Sequence, residues 1–308
     1  MIKIPWTEIT VNPWVGCTKC ATGCLHCYAE QMARRLRAMG HKAYADVVGP
    51  HGKWTGKIGY QMHELDMILR LRKPRMIFLG SMTDIFHEDV PFEYIDRAHA
   101  IIALCPQHTF QVLTKRIERA MEYYMTRTSI DDSYRVDRMP QWYNVLTGWL
   151  DEGHKGYLGR NWDRFEKAAE QTDFNDKPLP NLWLGTSIST QADADKNIPI
   201  LLQIPAAVRF LSIEPMLEKV DIRKFLIPGA DGLPREMNEY HDWIDQVIIG
   251  CESGSNARLC SIEDIRNAAD QCQESGVACF VKQVPINGKC SKNRKEWPLW
   301  AQRQEYPK

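Results

Sequence analysis

No run of about 18 uninterrupted apolar residues occurs in the 308-residue chain, so no segment reads as a membrane-spanning helix. Net charge is absent too. The 39 Lys and Arg residues are matched by 39 Asp and Glu, and no overall field draws a polyanion to the whole surface. Any nucleic-acid contact must come from a local groove. Residues 1–14 lack the charged start and apolar run of a secretory signal. Internal repeats and low-complexity tracts are also missing. The expectation is a cytoplasmic protein without a membrane partner.

What is present is a 44% hydrophobic content, enough to bury one large core, and one domain over 1–308 is expected. Short β-branched or aromatic runs at 6–11, 76–80, 109–113, 182–187, 208–213, 246–250 and 278–282 read as strands. Amphipathic stretches at 28–39, 92–104, 117–125, 191–203 and 262–275 read as helices between them. About six βα units in a row predict an α/β fold with a mostly parallel sheet, a full or partial barrel. Such barrels carry their chemistry on the loops after the strands' carboxyl ends. Two segments break the rhythm. Residues 40–75 begin too polar and Gly-rich for a core helix, and 126–180 form an insertion or lid with Trp142, Tyr143, Trp149, Tyr157, Trp162 and Phe165. Those aromatics either pack a helical subdomain or stack on a planar substrate such as an extruded base.

Ten cysteines in a reducing cytosol point away from five disulfides and toward metal or redox roles. Cys17, Cys20, Cys24 and Cys27 crowd into eleven residues directly after the first expected strand. Thiolates suit iron–sulfur clusters and zinc. Three of them in the spacing C-x6-C-x2-C, Cys17, Cys24 and Cys27, leave one iron of a 4Fe-4S cluster open to S-adenosylmethionine. All four could instead knot a zinc ion, although structural zinc sites usually separate their pairs by a dozen or more residues. His26, between two of the cysteines, reads as a neighbour of the ligands or as solvent-facing.

Polar residues recur at the other expected strand ends. Ser81, Thr83 and Asp84 follow the second strand; Lys115 follows the third; Thr186, Ser187 and Ser189 end or follow the fourth. Glu214, then Cys251 and Glu252, then Lys282 come at the last three. Charges at a barrel mouth are paired, solvated or in use, and ion pairs among Lys115, Glu214, Glu252 and Lys282 compete with roles on a substrate. The alternative for Asp84 and Ser189 is that each merely caps the next helix. The tail, with Lys289, Lys292, Arg294 and Lys295 before Trp297 and Trp300, is the one basic and aromatic concentration, a phosphate grip or a solvated charged surface.

The runs Asn12-Pro13-Trp14-Val15-Gly16-Cys17, Gly23-Cys24-Leu25-His26-Cys27-Tyr28, Gly80-Ser81-Met82-Thr83-Asp84, Leu113-Thr114-Lys115-Arg116, Leu211-Ser212-Ile213-Glu214-Pro215 and Phe280-Val281-Lys282-Gln283 resemble the phage and prophage three-Cys-motif proteins, which are similar to radical S-adenosylmethionine enzymes. The resemblance spans nearly the whole chain. It implies a partial (β/α)6 barrel, a 4Fe-4S cluster on Cys17, Cys24 and Cys27, and reductive cleavage of S-adenosylmethionine by an external one-electron donor. By the same analogy Ser81, Thr83 and Asp84 face the amino group of S-adenosylmethionine, and Thr186, Ser187 and Ser189 its ribose or carboxylate. Cys251, Lys115, Glu214, Glu252 and Lys282 become catalytic candidates. The phage setting implies host cytoplasm and a nucleic-acid or nucleotide substrate, such as a hypermodified thymidine that is rearranged or isomerised. Cys20 and Cys251 depart from the family pattern. Cys251 stands where a glycine is usual, as a packing residue, a hydrogen-atom donor or a ligand to something extra. Two readings from other classes remain: a zinc-stabilised nucleic-acid-binding module and an iron–sulfur protein that only transfers electrons.

Overall fold

The computed structural model describes residues 4–125, 142, 145, 163, 167, 178–226, 243–253, 256–258 and 260–307. An eight-stranded sheet organises them, with strands β1 (Ile9–Val11), β4 (Met76–Leu79), β5 (Thr109–Thr114), β6 (Leu182–Ile188), β7 (Val208–Ile213), β8 (Gln246–Gly250), β9 (Ala278–Ile286) and β10 (Lys289–Ser291) lying side by side in that order. All neighbours run parallel except β9 and β10, a hairpin that ends the sheet antiparallel. Strands β2 (Trp14–Val15) and β3 (Gly59–Tyr60) form a separate two-stranded ladder. The fold is α/β with a mostly parallel sheet. Its edge strands β1 and β10 do not pair, so the described sheet is open.

Helices α1 (Tyr28–Ala38), α2 (His63–Arg70), α3 (Phe92–Leu104), α4 (Ile117–Met125), α5 (Gln191–Gln203), α6 (Arg223–Leu226) and α7 (Ile262–Glu274) occupy the connections. Side chains alternate across a strand with period two. One set, including Ile77, Leu79, Val112, Leu184, Leu211, Ile249 and Val281, joins residues of α2, α3, α4, α5 and α7 in the main core. The other set, Phe78, Phe210, Ile248 and Phe280 with Leu113 and Trp183 against them, packs on Ile4 and Trp6. The Trp6 ring lies 4.7 Å from Phe78 and 6.3 Å from Phe210, although β4 and β7 are three strand spacings apart, about 14 Å in a flat sheet. The amino-terminal segment therefore plugs a concave face. Gly185 makes room for this packing, because a Cβ there would come within 2.6 Å of the Phe210 ring.

The first strand starts at Ile9 rather than residue 6. Trp6 is lost from the ladder because its ring is the plug, and Thr7 instead donates its hydroxyl to the Met76 carbonyl. Residues 40–75 hold more order than their composition implied. Their early part supplies β3 and a turn of 3-10 helix at Lys42–Tyr44, and α2 buries Leu65, Ile68 and Leu69. In the 126–180 insertion, Trp142 is buried; its indole Nε1 donates to Tyr123 at 2.7 Å and its ring stacks 4.7 Å from His99. That favours packing for this residue. Tyr143, Trp149, Tyr157, Trp162 and Phe165 lie outside the described residues. Among the described residues no helix is long and apolar enough to cross a membrane.

Candidate functional site

Strands β1, β4, β5, β6, β7, β8 and β9 all end at one side of the sheet, and a cavity of about 270 Å³ opens there above the Trp6 plug. Its wall includes Cys17, Cys20, Cys24 and Cys27. The cysteine loop is seated by two glycines. Gly16 has φ of 104°, backbone that favours glycine, and its N–H donates to the Met82 carbonyl at 3.2 Å. A Cβ on Gly23 would collide with Ser189 Oγ, so the loop rests directly on the end of β6.

Asp84 is the anchor on the opposite wall. Its buried carboxylate accepts hydrogen bonds from the Phe86 amide (3.0 Å), the Thr114 hydroxyl (2.7 Å) and the Lys115 amide (2.9 Å), and Arg116 lies 3.4 Å away. Four donors leave it a framework acceptor that fastens the β4 and β5 loops together. Arg116, which sequence reasoning did not single out, turns from there to the cysteine loop. It donates to the Thr18 carbonyl (3.1 Å), the Thr18 hydroxyl (2.6 Å) and Glu88 (2.7 Å), and reaches Cys17 Sγ at 3.7 Å. Burial opposes its charge, but Asp84 and Cys17 hold its pKa above the usual arginine value.

Ser81, Thr83, Lys115, Ser187, Glu214, Glu252 and Lys282 line the same cavity, each with a partner. Ser81 donates to Asn12 at 3.1 Å and accepts from Tyr28 OH, at its carbonyl, at 2.6 Å. Thr83 donates to the Gly16 carbonyl at 2.7 Å, which ties β4 to the cysteine loop. Lys115 Nζ donates to Ser187 Oγ at 2.6 Å. Glu214 pairs with Lys282, and Glu252 with Arg258 at 2.5 Å. Arg258 also donates to the Thr22 carbonyl at 3.0 Å, a brace from the β8 loop to the cysteine loop that no local pattern announced. Thr186 and Ser189 are buried beside the cavity and do not line it; Thr186 donates to the Thr114 carbonyl at 3.1 Å. Cys251 faces a neighbouring cavity.

The thiols differ in their protons. Burial, then the Asp84 carboxylate, pushes Cys17 up to about 12 against the pull of Arg116. Cys24 is pulled down to about 5 by a hydrogen bond from Cys20, with Lys115 helping and burial opposing. Cys20 is correspondingly raised, its proton held in that bond. Binding a metal at Cys17 would release a proton.

Among the described residues no three His, Cys, Asp or Glu side chains gather closely enough to hold a single metal ion. Zn–S bonds of about 2.3 Å would require thiolates roughly 3.8 Å apart, whereas a polynuclear cluster holds its thiolates farther apart. Four soft donors line one cavity, with Arg116 beside Cys17 and Lys115 near Cys24, a donor set whose chemistry suits an anionic metal–sulfur group. The Trp6 indole Nε1 and Gln111 Oε1 are buried without a hydrogen-bond partner, and Trp6 also lines the cavity.

A family model described as "Protein of unknown function (DUF5131)" matches residues 1–297. No curated protein and no solved structure matches the chain.

Proposed function

We propose that the chain, which belongs to the DUF5131 family of proteins of unknown function, is a radical S-adenosylmethionine enzyme with a 4Fe-4S cluster on Cys17, Cys24 and Cys27. The observation that carries this reading is the meeting of those three cysteines with the polar ends of the parallel strands around one cavity. When bound to Cys17, Cys24 and Cys27 and reduced, such a cluster would supply the one-electron chemistry that splits S-adenosylmethionine into methionine and a 5′-deoxyadenosyl radical able to take a hydrogen atom from substrate. In this reading the sheet is a partial barrel, open between β1 and β10, with seven parallel strands where the resemblance implied six.

The chain's own residues position the ligand and exclude water. Ser81 and Thr83 hold the β4 loop against the cysteine loop, leaving their strand end to receive the ligand's ammonium. Asp84 acts one step back, orienting Lys115 and Arg116 rather than offering a free carboxylate. Lys115 and Ser187 form a cation and hydroxyl pair suited to a carboxylate or ribose. The Glu214 and Lys282 pair faces the same cavity and can exchange its internal contact for one to substrate. The substrate in this reading is a nucleotide or nucleic-acid base, and Lys292, at the cavity wall with no ion-pair partner among the described residues, would meet its phosphate.

Anaerobic reconstitution with iron and sulfide, followed by S-adenosylmethionine and dithionite, tests the reading. It should yield 5′-deoxyadenosine. Cys17→Ala, Cys24→Ala and Cys27→Ala should each abolish it, while Cys20→Ala should keep it. A colourless protein with about one zinc per chain, or a full cluster that produces no 5′-deoxyadenosine, would overturn the proposal.

A further inference from the structure

Three further cysteines meet beside the first cavity, although 9 to 39 residues separate them in sequence. Cys251 follows the last residue of β8, Cys260 precedes the Ser261 cap of α7, and Cys290 sits in the centre of β10. All three line one cavity of about 430 Å³, which shares Glu252, Ser253 and Lys292 with the first. Cys251 is buried, and Cys260 and Cys290 are half-buried.

We propose that Cys251, Cys260 and Cys290 bind a second iron–sulfur cluster, adjacent to the first site. Soft thiolates from three separate elements converge on one space, a donor set that suits iron and sulfide. Their charge is matched locally. Arg258, Lys289 and Lys292 line the same cavity, and hydrogen bonds to cluster sulfur and nearby cations stabilise anionic clusters. Glu252 is unsuited as a further ligand, because its two oxygens accept from the Arg258 amide at 2.7 Å and from its guanidinium at 3.0 and 2.5 Å. Three protein ligands would thus leave one iron of a 4Fe-4S cluster without a protein ligand. As at the first site, the thiols are not gathered closely enough for one tetrahedral ion. This inference goes beyond the first site and stands without it.

The test uses the full chain carrying Cys17→Ala, Cys24→Ala and Cys27→Ala together, reconstituted anaerobically with ferrous iron and sulfide. Folded protein, verified by circular dichroism and size exclusion, should retain about four irons and four sulfides and show a paramagnetic signal after dithionite. The complementary chain carrying Cys251→Ala, Cys260→Ala and Cys290→Ala should fall from about eight irons to about four. Should that triple variant not fold, Cys260→Ala alone, at a half-buried position, should change the signal of the second cluster. No iron in the folded amino-terminal variant would overturn the proposal. So would zinc in place of iron and sulfide, or a Cys251–Cys290 disulfide found by mass spectrometry in its place. Absence of 5′-deoxyadenosine from the unaltered protein would sink the first reading and leave these iron counts unmoved.

Discussion

The concave face of the sheet has a floor and a mouth built on opposite principles. At the floor Trp6, Phe78, Phe210 and Phe280 are buried in one apolar cluster, the Trp6 ring against those of Phe78 and Phe210. At the mouth, two to six residues farther along the chain from the floor residues of the same strands, Asp84, Lys115, Arg116, Glu214, Glu252 and Lys282 stand at or near the strand ends. The floor gains its stability from buried area, whereas the mouth spends part of it on desolvating charges that only hydrogen bonds and ion pairs make tolerable. The contrast separates an apolar floor that keeps the fold from a polar rim open to a ligand.

The largest expected effect is at the floor. Trp6→Ala should lower unfolding free energy by about 3–5 kcal/mol, the usual cost of emptying a large aromatic site, as read by denaturant titration, with iron bound per folded chain unchanged. A loss of iron in proportion to stability would erase the contrast. Asp84→Ala probes the mouth from the other side. It removes the acceptor for three donors and one of two carboxylates that face buried Arg116, so it should cost about 3 kcal/mol and also loosen the cysteine loop. Asp84→Asn should cost less, and an effect of Asp84→Ala under about 1 kcal/mol would show that the mouth is not held by this carboxylate.

The smallest effect is at the rim. Hydrogen bonds from its own backbone amide, Arg116 and Thr18 outweigh burial and hold Glu88 down to about 2. Because its folded pKa lies below the unfolded value, its contribution is present above about pH 4.5 and is lost as pH falls toward 2. Glu88→Gln should therefore destabilise by about 0.5–1 kcal/mol at pH 7, discounted because the side chain is half exposed. Denaturant midpoints of the two proteins should converge near pH 2. Midpoints that remain apart there would show that the residue acts through packing.

Much of the floor was legible because burial on both faces of a strand writes itself as short β-branched and aromatic runs. The 208–213 and 246–250 segments form strands with those bounds. Trp6 misled the reading because a plug and a strand have the same local composition, and only the far ends of β4 and β7 decide between them. The α2 helix was hidden by the glycines and polar residues ahead of it. At the mouth, residue types at strand ends were visible, but partners were not. Arg258 meets Thr22 across 236 residues, and Cys251, Cys260 and Cys290 become neighbours only when the β8 to β10 segment is folded. Thr186 and Ser189 lie buried beside the cavity rather than in its wall, a depth that residue type alone does not encode.

The brace between Arg258 and Thr22 also orders events during synthesis. At ~5–20 residues per second, the 236 residues between them take roughly 10–50 s to emerge. The four clustered cysteines leave the ribosome well before Arg258, one of the side chains that steadies their loop. The loop therefore waits for its brace through that interval, and any group it binds meets it fully steadied only after the segment following β8 has emerged.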